Sequence, residues 1–412
     1  MTIRTICTAA TAAATMALTV TACGSGTPLP PIARPPGAAA VMPPGCGTGR
    51  GPVVLTVAGH ANAPTPALST AMAQAVITAA ADGSPLGLVS IEGLPVLIQA
   101  GSFSSDAGND SARSGDRDTF VSTIGEQVSG VRATTAHADY LRASQIAADA
   151  VHAACPTGGT IYLLGSGLQD TGDLNFSAST DLLGATPADV VGFLRGHHEL
   201  PHMAGVAVVL VGVGDTSAPQ TPLDQASKSN LVAIWTAVLQ AAGATVTVDP
   251  SPRGGNGPTT VPQVTPVAVP NPSVFPASCS VTDFRLPDTG PVGFLPDVAT
   301  FRDPATAHDA VQQIADALAG CHATKITLTG TTSSAGAATP AGDDDRRTLS
   351  QQRAQAVKDE LTHLSVHPVA TNAITIAGNG FHFAGYENDR DAQGILLPEP
   401  ATHNRSVLIS VS

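Results

Sequence analysis

Prolines at 252, 258, 262, 266, 270, 272 and 276 punctuate the stretch from Ser251 to Pro276, and no other feature constrains the fold so strongly. Each lacks a backbone N–H and fixes φ, so the stretch can form neither a helix nor a central strand. It reads as an extended, semi-rigid linker over residues 251–277. A chain of 412 residues cut there leaves room for a folded domain on each side, 46–250 and 278–412.

A second stretch, 24–45, is rich in Pro, Gly and Ala without periodicity and reads as a disordered tether. It follows a signal segment over 1–23, in which Arg4 is the positive n-region and Ile6 to Val20 the apolar h-region. That segment ends Val20-Thr21-Ala22-Cys23, which resembles a bacterial lipobox. The resemblance implies cleavage before Cys23, a palmitate-type diacyl group on its sulfur, and a lipid anchor in the cell membrane on the extracytoplasmic face. No internal apolar run reaches the length of a bilayer span. The formal net charge of -13 argues against nucleic acid and against a polybasic membrane contact.

Export places the remaining cysteines in an oxidising compartment. With Cys7 and Cys23 set aside, Cys46, Cys155, Cys279 and Cys321 remain, and four cysteines allow three pairings. A metal site is disfavoured because the chain has no Cys-x-x-Cys spacing. The favoured pairs are Cys46–Cys155 and Cys279–Cys321, one bridge within each domain.

In the first domain, short apolar runs alternate with helical patterns. Val53–Val57, Leu86–Ile91, Val96–Leu97, Thr160–Leu164, Val206–Val213 and Ala244–Val248 read as strands. Pro66–Ala81, Ala136–Ala154, Thr186–Leu194 and Ser229–Ala242 read as helices. This alternation indicates an α/β domain: a doubly wound, mostly parallel sheet covered on both faces. Cys46 precedes the first strand and Cys155 the strand at Thr160, and the same end of two adjacent parallel strands can meet disulfide geometry.

Ligands of such sheets sit at the carboxyl ends of the strands, where this chain offers Asn62, Ser166, Asp170 and Asp215. The strand order, the stretch Leu163 to Phe176 and the Gly212-Val213-Gly214-Asp215 turn resemble a von Willebrand factor A-like, Rossmann-like domain. That family builds a metal site from Asp-x-Ser-x-Ser after its first strand, because a hard cation wants oxygen ligands. Here Ala58-Gly59-His60-Ala61-Asn62 stands in that place, and Ser166 stands where a later Asp is expected, so no metal is expected. Gly165-Ser166-Gly167 lacks the Gly-x-Ser-x-Gly elbow of a hydrolase. His197, His198, Glu199 and His202 are interrupted by Pro201 and read as a polar loop rather than a metal site. Asn62, Ser166 and Asp170 remain as the site of a second reading, an envelope enzyme of the hydrolase type.

In the second domain, Lys325–Gly336 reads as a strand running into a loop, and Asp343–Leu361 as a helix. Ala373–Gly380 and Asn404–Ile409 read as further strands. Leu349, Ala356, Val357 and Leu361 share the expected core face, with Ser350 and Arg353 on a neighbouring face. The loop Gly330-Thr331-Thr332-Ser333-Ser334-Ala335-Gly336, the run Leu349-Ser350-x-x-Arg353-Ala354-x-x-Val357 and the closing Asn404-Arg405 resemble the OmpA-like peptidoglycan-associated domain. The resemblance spans roughly the last third of the chain. It implies an α+β fold and recognition of the peptidoglycan stem peptide, whose diaminopimelate carries an ammonium close to carboxylates. In that family a loop Asp takes the ammonium, and a helix Arg takes a carboxylate through paired hydrogen bonds. Arg353 stands at the Arg position, whereas Ser333 replaces the Asp and Arg346 the usual Asn.

Thr332, Ser333, Ser350 and Arg353 are therefore the expected peptidoglycan-binding residues, with binding weakened by the missing carboxylate. Asp343, Asp344 and Asp345 are an alternative source of that charge if their segment folds over the groove, and Phe381, Phe383 and Tyr386 are expected at its rim. The chain thus reads as a non-catalytic envelope lipoprotein without a cofactor. Its C-terminal domain would contact the wall, and its α/β domain would bind an envelope protein or a small ligand.

Overall fold

The computed structural model describes residues 40–49, 51–179, 181–269, 279 and 282–412. The signal segment, Cys23 and residues 24–39 of the expected tether lie outside the described residues.

The first domain is built on β1 (Val53–Ala58), β2 (Leu86–Ile91), β3 (Val96–Gly101), β4 (Thr160–Leu164), β5 (Ala207–Val211) and β6 (Thr245–Asp249). They form one sheet in the order β3-β2-β1-β4-β5-β6, parallel except for the antiparallel edge strand β3. Its helices are α1 (Thr70–Asp82), α2 (Asp110–Ser129), α3 (Tyr140–Ala154), α4 (Pro187–Gly196) and α5 (Gln225–Ala241). The central strand β1 has no polar face because side chains alternate across a strand and both faces are covered. Val54 and Ala58 join the core shared with α3, α4 and α5, and Val53, Leu55 and Val57 join the core under α1 and α2. Trp235 of α5 is fully buried, and its indole N–H donates to Gly167 O at 2.9 Å. Gly167 has φ +73°, and a Cβ there would lie 2.9 Å from Trp235 Nε1, so the turn after β4 requires glycine.

One helix of the first domain, α2, is absent from the sequence reading. The first half of α2 is mostly Asp, Ser, Gly and Arg, which reads as loop, and only Phe120, Ile124, Gln127 and Val128 of the helix are buried. Asn109 caps it by accepting from Ala112 N, and packing of its second half under the sheet does the rest.

The proline-rich stretch departs from a free spacer. Residues 251–269 form no helix or strand, as the prolines require, yet they lie as a strap along the carboxyl ends of the sheet. Val264 and Val267 are buried in the α/β core. Ala61 N donates to Pro262 O, Thr65 N to Asn256 O, and Ser217 Oγ to Gly255 O. At the other end, residues 40–45 of the expected tether also pack: Ala40 N donates to Leu97 O, Gly45 N donates to Ala154 O, and Met42 is buried.

The second domain runs β7 (Asp283–Pro287), α6 (Pro304–Gly320), β8 (Ile326–Thr331), α7 (Pro340–His363), β9 (Ile374–Gly378), α8 (Pro398–Asn404) and β10 (Ser406–Val411). Its sheet has the order β7-β10-β8-β9, with β8 and β9 parallel and the other pairs antiparallel. Helices α6 and α7 share one core with the inward residues Leu286, Ile326, Leu328, Ile374, Val407 and Ile409. Helix α7 begins earlier than expected and turns a different stripe inward: Ser350, Arg353, Ala354, Val357 and Leu361 are buried, whereas Leu349 and Ala356 are half-buried. The cause is close approach, since a Cβ on Gly330 of β8 would lie 1.7 Å from Ser350 O.

The disulfides are Cys46–Cys155 and Cys279–Cys321, with Cα atoms 4.9 and 5.3 Å apart, the two pairings favoured from the sequence, and the topology argument applies to the first. Among the described residues no helix is long and apolar enough to cross a membrane.

Candidate functional site

The carboxyl ends of the large sheet hold the polar residues that the sequence singles out, and the strap covers them. Asn62 donates to Val264 O and accepts from Val264 N, at 2.9 and 3.0 Å. Asp170 is buried; Oδ1 accepts from Ala138 N at 2.8 Å, and Oδ2 lies near His137 Nδ1 and accepts from Thr265 N. Ser166 Oγ accepts from Leu168 N and meets Tyr140 Oη at 3.4 Å. Asp215 pairs with Lys228 and accepts from Arg253 N. Burial lowers the His60 imidazole from its ordinary value, partly offset by the bond to His137 O. His197 turns away from His198 and His202 to reach Asp173 and, in the second domain, Asp391 at 2.9 Å. No group of three or more metal-ligating side chains occurs among the described residues.

In the second domain the loop after β8 is held from beneath. Asp389 is fully buried and accepts from Ser334 N (2.7 Å), Ser334 Oγ, Tyr386 Oη (2.6 Å) and Asn404 Nδ2 (3.3 Å). Arg390 donates to Ser334 O and Oγ. Arg346 clamps the far side of the loop, donating to Ala335 O and Ala337 O while its guanidinium lies 5.0 Å from the Phe381 ring centre. Hydrogen bonds to charged groups contribute about 1.5–3 kcal/mol each, so this loop is a pre-set wall rather than a mobile lid.

Against that wall lies a groove of about 340 Å³. Thr332, Ser333, Arg346, Leu349, Arg353 and Arg405 line it, as do Asp288, Phe294, Asp297 and Arg302. The first domain adds Thr186, Ala188 and Asp189 from the start of α4. Three of the four arginines have carboxylates: Arg302 with Asp288 (3.7 Å), Arg346 with Asp343 (2.5 Å) and Arg405 with Asp189 (2.6 Å). Arg353 has no carboxylate within ion-pair distance among the described residues. It is 4% exposed, lies 5.2 Å from the Phe294 ring centre, and donates to Val298 O and Leu295 O. Burial lowers its affinity for the proton, opposed by the more distant Asp288 and Asp297.

Thr332, Ser333 and Arg353 therefore share the groove, but Ser350 does not line it. Ser350 is buried behind, donating to Arg347 O and accepting from Gly380 N, where it ties α7 to the end of β9. Asp343 and Asp344 sit on α7 and pair with Arg346 and Arg347, and neither these two nor Asp345 lines the groove. Phe381, Phe383 and Tyr386 cluster with one another and do not line the groove, although Phe381 packs against Arg346, which does. Asp288, Phe294, Arg302 and the α4 residues escaped the sequence reading. Arg405 alone had a signal, in the closing Asn404-Arg405.

A model of the OmpA family matches residues 294–391. Those residues, which include α7 and most of the groove, are an OmpA family domain at the C-terminal end of the chain. Among solved structures, the OmpA-like domain of FopA1 from Francisella tularensis is 22% identical over 32% of this chain and 73% of that one, TM-score 0.23. The cell wall anchor of the T6SS from Pseudomonas aeruginosa is 27% identical over 31% and 78%, TM-score 0.22. The peptidoglycan-associated lipoprotein from Burkholderia pseudomallei is 18% identical over 34% and 98%, TM-score 0.22. No curated protein matches the chain.

Proposed function

Proceeding from an OmpA family domain at residues 294–391, we propose that this chain is a non-catalytic protein of the bacterial cell envelope that contacts peptidoglycan through the Arg353 groove. The observation that carries the proposal is Arg353: a buried cation without a carboxylate in reach, beside a groove of ligand size. A carboxylate of the peptidoglycan stem peptide supplies the missing partner, and the planar guanidinium favours it over a phosphate-free sugar. The two disulfides fit an oxidising, extracytoplasmic compartment. A lipid on Cys23 would hold the chain to the membrane while the C-terminal domain holds the wall.

The α/β domain, with its β3-β2-β1-β4-β5-β6 order and reversed edge strand, is read as von Willebrand A-like and as a partner-binding unit. The hydrolase reading has little support, because Asn62 and Asp170 are spent on holding the strap. Retention of the full chain on purified sacculi tests the proposal. Arg353→Gln should lower retention about tenfold, the loss of one charge-assisted contact of about 1.4 kcal/mol. Equal retention of the two proteins would sink it.

A further inference from the structure

The wall formed by α4 raises a question of charge. Asp189 Oδ2 stands 2.6 Å from Arg405 Nη2, but the contact lacks hydrogen-bond alignment, and this buried oxygen has no hydrogen-bond partner among the described residues. Thr332 Oγ1 is a second buried oxygen of the groove lining without one. Buried acceptors left without a donor are costly and uncommon. The groove thus lacks an anion for Arg353 and a hydrogen-bond partner for Thr332, and the carboxylate that the α/β domain brings to it, Asp189, has Arg405 as its ion-pair partner. A ligand bearing both a carboxylate and an ammonium meets both needs, since an ammonium offers three N–H donors and a positive charge. Ser333 offers the ammonium no charge, and its Oγ already accepts from Ala335 N at 3.4 Å.

We infer that Asp189 of the α/β domain is a ligand-binding residue of the groove, taking the ammonium of a zwitterionic amino-acid ligand whose carboxylate Arg353 holds. The inference rests on the reading of the groove as a stem-peptide site, and it assigns the missing carboxylate to the other domain. The ligand then touches both domains, so ligand binding and domain docking strengthen each other by the same factor. Arg405, 2.6 Å away, holds Asp189 in the groove lining.

The test uses the full chain and two synthetic stem peptides containing diaminopimelate, one with its side-chain amine free and one with it acetylated. The unaltered protein should bind the free-amine peptide about tenfold more tightly. Asp189→Asn, which keeps the side chain's shape, should abolish that preference, so that the free-amine and acetylated peptides bind alike. The ratio between two ligands does not move if the variant is merely less folded. An unaltered protein that ignores the acetyl group overturns the inference and leaves the stem-peptide reading standing. Failure to bind either peptide overturns both. If Asp297→Asn removes the preference and Asp189→Asn keeps it, Asp297 is the ammonium partner and the inference falls.

Discussion

At the carboxyl ends of β1 and β4, Asn62 and Asp170 have their hydrogen bonds met by the chain itself, largely by Val264 and Thr265 of the strap. In the groove of the second domain, Arg353 has no carboxylate, and Thr332 and Asp189 each bury an oxygen without a hydrogen bond. Both regions gather polar side chains at the edge of a sheet, and both would attract attention in a search for sites. The difference is that the first is covered by the chain's own strap, although His60 Nδ1 is left without a partner there, whereas the second opens onto a groove beside a cation without a carboxylate. A buried cation without a carboxylate beside open space is the better sign of a ligand, because an uncompensated buried charge is costly.

The comparison breaks most severely at Asp389, the internal partner that keeps the groove loop in place. Asp389→Ala leaves Ser334 N, Ser334 Oγ, Tyr386 Oη and Asn404 Nδ2 without their acceptor. Loss of about 3 kcal/mol in urea unfolding is expected, together with loss of wall retention. A variant as stable as the parent would show that the loop does not depend on this carboxylate.

The strap comes next. Asn62→Ala removes both bonds to Val264 and should cost about 2 kcal/mol. Hydrogen exchange at Val264 and Thr265 should accelerate while the groove loop keeps its protection. Unchanged exchange there would mean that burial of Val264 and Val267 holds the strap without Asn62.

The smallest effect is a pH slope beneath the strap. His60 is buried with its proton affinity lowered below the ordinary value of 6.5, chiefly by desolvation. The unfolded chain then holds the extra proton in the window just below pH 6.5. Its contribution to stability is full above that pH and is lost as pH falls toward the lowered folded value, by at most ~1.4 kcal/mol per pH unit. Unfolding curves between pH 5 and 7 should show this slope, flattened in His60→Gln. An identical slope in the two proteins would assign it to other groups.

Much of the architecture was legible from local pattern. The runs at Val53, Leu86, Thr160, Val206 and Ala244 became the strands of the large sheet, and the helices at Ala136, Thr186 and Ser229 shifted by a few residues at their ends. Helix α2 was hidden because its exposed half has the composition of a loop, and exposed positions need not be apolar. In the groove, the places of Arg353 and Ser333 came from the resemblance that the Leu349-Ser350-x-x-Arg353-Ala354 run and its preceding loop carry. Ser350 was misplaced because a position one turn from Arg353 on α7 gave no hint of how closely Gly330 would press against it.

Periodicity and punctuation are properties of neighbours along the chain, so they sufficed for the alternation of strands and helices, for the breaks at prolines and for the likeness to the OmpA family. Long-range contacts settled the rest. The bonds between Asn62 and Val264 join residues 202 apart, and proline composition says nothing about where such a strap will lie. The approach of Asp189 to Arg405 joins two domains, and burial makes that charge matter, since in water either group would be satisfied by solvent. Which carboxylate faces which cation depends on how the two domains meet in space, and no local pattern in the chain encodes that.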